Sequence, residues 1–191
     1  MDTIKSAVTK YPVLDIIKNR WSPRSFSGKA ISAADLNTIL EAGTWAFSAI
    51  NEQPWRYIVA HRDTALFNSF FDLLFPGNQP WNKNAAVLVI SIIKKTFANN
   101  SINTSAQHDV GAANMLLTLQ ANSMGIYTHV MGGFNKEQAA ALLQLDEAFE
   151  PVVMIAIGYP DKADKLDEPF RTRETAPRTR KPLDEVILNY N

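Results

Sequence analysis

Residues 85–93, Ala-Ala-Val-Leu-Val-Ile-Ser-Ile-Ile, are a continuous apolar run. Such a run suits a strand buried on both faces rather than one with a wet side. A strand of that kind needs a layer of structure above it and another below. Residues 151–158, Pro-Val-Val-Met-Ile-Ala-Ile-Gly, repeat the pattern. Helical stretches alternate with these strands, but not in strict strand-helix-strand order, so the pattern points to an α+β sandwich. The 191 residues are 46 % hydrophobic, enough for one domain with a real core. The whole chain, 1–191, is expected to be that single domain.

The other elements follow from periodicity and end signals. Pro12 suits the first turn of a short helix over 12–19. Ser32 followed by Asp35 resembles a capping box and opens a helix to about Ala46, with Leu36, Ile39 and Leu40 at helical spacing. Residues 55–60 read as a strand. Asp63 is expected to cap a Phe-rich helix reaching about Leu74, ended by Pro76-Gly77. Residues 104–123 form the longest helical stretch, stopped at Met124-Gly125. Residues 126–131 read as extended. Asn135, with Gln138 three residues on, starts another helix to about Leu143. After Tyr159-Pro160 the chain turns polar, and five of the eleven residues 171–181 are basic. Apolar Leu183, Val186, Ile187 and Leu188 then return. This pattern suggests that 161–191 is a C-terminal arm whose end docks on something, with a partner subunit the expected surface.

Composition removes several function classes. Nineteen basic and nineteen acidic residues balance to zero, which disfavours a non-specific nucleic-acid binder. There is no cysteine, so disulfides, thiolate catalysis and cysteine metal sites are excluded. His61, His108 and His129 lack metal-ligand spacing, and no metal site is expected. No signal peptide is legible at the N-terminus. Residues 110–135 carry no Asp, Glu, Lys or Arg, yet Asn114, Gln120, Asn122, Ser123 and His129 make a membrane span a poor reading. The expected compartment is the cytoplasm. Neither G-x-G-x-x-G nor a P-loop occurs.

Four segments could carry chemistry. Arg20-Trp21-Ser22-Pro23-Arg24 sets two guanidiniums around a hydroxyl, a donor set matching a phosphate. Asn51-Glu52-Gln53-Pro54-Trp55 offers two amides able to read the edge of a planar heterocycle. Met131-Gly132-Gly133-Phe134 lets backbone approach a ligand closely. Arg178-Thr179-Arg180-Lys181 adds cations. Taken singly, each also suits an ordinary solvated loop or tight turn. His108-Asp109 looks like a general-base pair, but helix neighbours do not face each other, and no nucleophile can be placed beside them. No catalytic side chain is assigned.

In this order, the segments resemble the FMN-dependent nitroreductase family. The long central helix, with His108-Asp109-Val110-Gly111-Ala112-Ala113, completes the likeness, which spans about residues 12–188. The resemblance implies an α+β sandwich with a central mixed sheet, assembled as an intertwined homodimer whose two FMN pockets are each formed by both subunits. It implies that Arg20 and Ser22 hold the FMN phosphate together with Arg178 and Arg180. Trp21 would contribute backbone, and Arg24 would lie near flavin N1 and the C2 carbonyl. Asn51 would bond the pyrimidine edge, and Gln53 would lie near the ribityl chain or ring. Gly132 and Gly133 would pass close to N5. NADH or NADPH would reduce FMN first, and a nitroaromatic, quinone or related small electrophile would take the electrons in a ping-pong cycle.

Two positions depart from that pattern. Trp21 stands where the family often has a basic or polar residue, and Phe47 where a proline commonly precedes the serine. Neither removes a cation. The Phe-rich segment 67–81, with Trp81, is the expected cover of the acceptor pocket. Two alternatives stay open: a flavin-binding or flavin-handling protein with little turnover, and a dimeric interaction module without cofactor.

Overall fold

The structure, a computed structural model, describes residues 3–188. Strand β2 (Val87–Lys94) is buried at every position but its last. It lies inside a four-stranded sheet of order β1-β2-β4-β3, with β1 at Trp55–His61, β3 at Tyr127–Met131 and β4 at Phe149–Gly158. All three pairings are antiparallel. The mixed sheet expected from the resemblance is therefore not found among the described residues. The connections explain why. The excursion after β1 returns the chain to the end it left, so that His61 pairs with Val87. The excursion after β3 does the same. β2 and β3 run in the same direction, but β4 lies between them.

One face of the sheet carries α2 (Ala33–Thr44) and α5 (Ala106–Ser123). There Leu36, Ile39, Leu117 and Ala121 pack on Val87, Val89, Ile155 and Ile157. The other face carries α3 (Ala65–Leu73), α4 (Gln79–Asn82) and α6 (Lys136–Leu142). There Phe67, Phe70, Trp81 and Ala139 pack on Leu88, Ile90, Ile92 and Met154. Alternation along each strand feeds both layers, giving the helix-sheet-helix sandwich.

The end signals mostly hold. Ser32 Oγ accepts from Asp35 N, and Asn135 Oδ1 accepts from Gln138 N. Gly125 has φ +71°, and Ile126 N reaches back to Ala121 O, closing α5 in the left-handed stop that glycine favours. The cap of α3 differs by one residue. Asp63 sits at φ 66° and cannot cap; Thr64 does, accepting from Phe67 N. The segment 67–81 is also not a loose cover. Phe67, Phe70 and Trp81 belong to the core, and Phe75 alone of its aromatics is strongly exposed. No helix among the described residues is long and apolar enough to cross a membrane.

The remaining helices are short: α1 (Asp15–Asn19), α7 (Phe170–Thr175) and α8 (Leu183–Val186). Within the C-terminal arm, 161–178 is tied to its own chain. Glu174 accepts from Arg24 N and Ser25 N, and Lys5 Nζ donates to Arg173 O and Ala176 O. Residues 179–188 are exposed throughout, including Leu183, Val186, Ile187 and Leu188. Residues 189–191 of the arm lie outside the described residues.

Candidate functional site

A cavity of about 670 Å³ opens between α5, the β3–β4 edge of the sheet and the N-terminal segment. That volume is ordinary for a small-molecule site. Val110, Met115, Val130 and Val153 make much of its lining apolar. Three lining side chains are polar and buried. Thr118 and Thr128 join their hydroxyls at 2.8 Å, and Asn114 Oδ1 accepts from Tyr57 and Ser91 at 3.1 Å each. Burial pushes the Tyr57 phenol up, so it remains a donor.

Arg20, Ser22, Arg178 and Arg180, from opposite ends of the chain, all border this cavity. Among the described residues no carboxylate forms an ion pair with any of the three arginines. Burial lowers the pKa of Arg20, and the charges of Arg178 and Arg180 lower it further. Like charges gathered without an acid leave uncompensated positive potential, which favours an anion. Arg178 also has a structural task. Its Nη1 donates to Lys18 O at 2.6 Å and Lys5 O at 3.1 Å, satisfying a carbonyl of the last turn of α1. A guanidinium has five N–H donors, so Nε and Nη2 still carry theirs.

Residues 20–26 are held closely. Phe26 pairs with Pro160, just past the end of β4. Pro23 O receives a hydrogen bond from His129 Nδ1 at 2.9 Å. The Arg24 guanidinium lies 5.8 Å from the Trp81 ring centroid, and the His129 ring stacks on Trp81 at 4.3 Å. Burial above all, with Arg24 and Arg20 adding to it, lowers the His129 pKa to about 4 against the opposing pull of its bond to Pro23. His129 is therefore neutral at pH 7. Trp21 lies on the far side, its ring edge-on to Tyr127 and under Lys5 Nζ.

Asn51 and Gln53 are exposed and are not brought to the arginines. They lie on a loop whose backbone is unusual: Ile50, Asn51 and Gln53 have φ of 55°, 55° and 53°. A β-branched residue in the left-handed region is a genuine outlier. The surroundings enforce it. Ala49 N donates to Asp109 Oδ2, Gln53 N to Ser48 Oγ, and Arg56 Nη1 to Gln53 O. Glu52 accepts from Ala98 N and pairs with Lys94 at 3.6 Å. Ile50, 87 % exposed, stands at the tip, with exposed Phe47 and Trp45 nearby in sequence.

Gly132 and Gly133 follow directly on β3, whose earlier residues Thr128 and Val130 line the cavity. Four residues at a rise of about 3.3 Å put the pair roughly 13 Å along the strand from Thr128. Gly133 O accepts from Phe75 N and Asn78 Nδ2. A Cβ on Gly133 would come within 2.7 Å of Asn78 Nδ2. Gly133 therefore packs against the turn between α3 and α4, while a Cβ on Gly132 would meet nothing within 4 Å.

The model of the nitroreductase family matches residues 17–159. This chain belongs to the nitroreductase family. Its fold superimposes with a TM-score of 0.91 on a structure described as an oxidoreductase containing FMN, at 35 % identity over 96 % of this chain and 94 % of that one. A nitroreductase family protein of Streptococcus pneumoniae TIGR4 shares the fold, with a TM-score of 0.72 at 23 % identity over 92 % and 98 % of the two chains. The major NAD(P)H-flavin oxidoreductase of Aliivibrio fischeri is 31 % identical over a stretch covering 52 % of this chain and 44 % of that protein.

In this nitroreductase-family chain, then, the expected residues fall into separate places: Arg20, Ser22, Arg178 and Arg180 at the cavity, Arg24 at a separate cleft lined also by Trp81 and Asp167, Trp21 against Tyr127, the exposed loop with Asn51 and Gln53, and the glycine pair at the end of β3. The side chains that hold them are not legible in the sequence. Glu174 and the role of His129 depend on contacts 150 and 106 residues away, and no local pattern announces them. Asp109 does sit in a segment that the resemblance marks, yet its work is to hold Ala49. Its contact with His108 Nδ1 is long, 3.4 Å, and does not make a catalytic dyad.

Proposed function

We propose that this nitroreductase-family chain is an NAD(P)H-dependent FMN oxidoreductase whose flavin pocket is completed by a second copy of itself. One observation carries the reading. Arg20, Arg178 and Arg180, with the Ser22 hydroxyl, border a cavity of ligand size with no acid among the described residues paired to them. The donor set suits a phosphate, and the apolar lining beyond it suits a flat ring system. The residues present therefore fit FMN.

Arg20, Ser22, Arg178 and Arg180 hold the phosphate. Arg24 offers a fixed positive charge to the pyrimidine edge of the ring, and Trp21 contributes backbone. Gly132, where an added Cβ would meet nothing within 4 Å, would leave room for the ring, with Gly133 beside it required by Asn78. Bound FMN supplies the redox chemistry, taking a hydride equivalent from NAD(P)H and giving electrons to a small electrophile such as a nitroaromatic or quinone. The protein binds the two substrates in turn on one side of the ring, which is the ping-pong order. No nucleophile is needed.

The two-subunit pocket rests on the separation of Asn51 and Gln53 from the arginines. They reach the ring from the partner. A strained backbone held by several hydrogen bonds is typical of a functional loop, and Ile50 at its tip is nearly fully exposed. Trp45, Phe47, Met115 and the apolar side chains of 179–188 are exposed as well. Covered by a second copy, they give a homodimer in which the end of the C-terminal arm lies on the partner. The domain is the whole chain.

Anaerobic stopped-flow mixing of the FMN-loaded protein with NADH or NADPH tests the reading. Bleaching near about 450 nm, the oxidised flavin band, followed by recovery on adding a quinone, is expected. Retained FMN that neither nucleotide bleaches would instead indicate a flavin-handling protein. Failure to retain FMN would remove the cofactor assignment.

A further inference from the structure

The peptide between Pro23 and Arg24 is held at both ends by side chains remote in sequence. Its carbonyl accepts from His129 Nδ1 at 2.9 Å. Its N–H donates to Glu174, with both carboxylate oxygens at 3.0 Å. In a trans peptide the carbonyl and the N–H point in opposite directions, so the two contacts grip from opposite sides. His129 comes from the edge strand β3 and Glu174 from α7. A carbonyl only accepts, which fixes the proton of His129 on Nδ1. Glu174 is 5 % exposed and also accepts from Ser25 N, while Ser25 Oγ donates to Lys162 O at 2.7 Å.

We propose that His129 and Glu174 are positioning residues for Arg24, a two-sided clamp that fixes where its guanidinium stands relative to the bound flavin. The proposal rests on the reading that Arg24 serves the pyrimidine edge of FMN. The geometry favours positioning over general packing for two reasons. Both clamps act on the one peptide that sets the direction of the Arg24 Cα–Cβ bond. The His129 ring also stacks on Trp81, the same ring against which the Arg24 guanidinium lies. Backbone and side chain are thus restrained together. Once Arg24 is held in place, less ordering remains to be done when the ligand binds. Glu174 also acts on Arg24 through its charge, opposing the lowering of the Arg24 pKa by burial, but it does not neutralise the arginines at the cavity. It accepts from backbone, and among the described residues it forms no ion pair with Arg20, Arg178 or Arg180.

The test uses the full chain loaded with FMN and reads two quantities besides turnover: the midpoint potential of the bound flavin and the FMN dissociation constant. Arg24→Ala is expected to lower the potential. His129→Leu is expected to lower it in the same direction, and both His129→Leu and Glu174→Ala are expected to weaken FMN by about tenfold, the loss of one ordinary hydrogen bond. In the Arg24→Ala background, His129→Leu should leave the potential where Arg24→Ala put it. His129→Asn, which retains a donor near the Nδ1 position, should restore the wild-type potential and serves if the leucine variant does not fold. Glu174→Gln, which keeps one acceptor oxygen, serves likewise for the alanine variant. An Arg24→Ala shift that His129→Leu does not reproduce overturns the clamp alone. An additive shift in the double variant also overturns it. No shift on Arg24→Ala overturns the clamp together with the flavin-edge reading it rests on.

Discussion

Asp109 and Ala49 meet in one hydrogen bond across sixty residues: the Ala49 N–H donates to Asp109 Oδ2 at 3.0 Å. The carboxylate is buried on α5, so the longest helix of the fold anchors the strained loop that carries Asn51 and Gln53. Removing the acceptor leaves a partly buried amide without its partner. Asp109→Ala is expected to lower folding stability by about 1–3 kcal/mol, read as a lower urea midpoint at unchanged slope. Asp109→Asn keeps an acceptor oxygen and should cost less. Equal midpoints for Asp109→Ala and wild type would mean that the bond is not what holds the loop.

Arg20 separates binding from stability. Its charge is opposed by Arg178 and Arg180, and burial works against it as well. Without ligand the guanidinium is a local cost, eased among the described residues by a long contact of 3.4 Å with Ser22 Oγ. Arg20→Ala should therefore leave the FMN-free protein as stable as wild type or slightly more so. The same change should weaken FMN by about 1.5–3 kcal/mol, the range for a hydrogen bond to a charged group. Calorimetry with FMN and thermal unfolding without it check the two halves. Undiminished FMN affinity would show that Arg20 does not hold the phosphate.

How much of the molecule is legible in its sequence depends on how local each cause is. Residues 85–93 and 151–158 read as buried strands because every position demands cover, and both lie at the sheet centre. Ser32 and Asn135 announce their helices because a cap is a contact three residues long. The cap of α3 falls on Thr64 rather than Asp63, a distinction that sequence does not carry: both residue types cap, and only φ tells them apart. The aromatics of 67–81 suggest a cover because composition does not say which side of a helix meets the sheet. The antiparallel sheet is out of reach because strand order is set by long-range pairing. At the site, the arginines and glycines are visible as residue types. Glu174 is not, since a lone glutamate among basic residues looks like solvated surface until the fold brings it to the Arg24 and Ser25 amides.

Ile50 offers a trade between strain and assembly. Its φ of 55° and ψ of 21° lie in a region costly for a β-branched side chain. Asparagine tolerates that region far better. Ile50→Asn is expected to stabilise the isolated chain, by up to about 1 kcal/mol of the strain typical for such a residue. It also removes an apolar side chain that is 87 % exposed and that the two-subunit reading places on the partner. The variant should therefore dissociate at higher protein concentration in sedimentation velocity and retain less FMN. A variant that gains stability yet dimerises and binds FMN unchanged would place Ile50 outside the interface.

His129 gives the fold an acid-sensitive joint. In the folded chain its pKa lies near 4, set chiefly by burial, with Arg24 and Arg20 opposing protonation from the same side. In the unfolded chain it returns to about 6.5. Above about pH 6.5 both states are neutral and the residue costs nothing. Between about pH 6.5 and about 4 the unfolded state binds a proton that the folded state refuses, so stability falls as pH falls. The full effect is about 3 kcal/mol, because each pH unit across that window is worth roughly 1.4 kcal/mol, and it levels off once both states are protonated. His129→Asn keeps a donor toward Pro23 but has nothing to titrate. Urea unfolding at about pH 7, 5.5 and 4.5 should show wild type losing more stability than the variant across that window. Parallel losses in the two proteins would mean that His129 is protonated in the folded state and that its ring is reached by solvent.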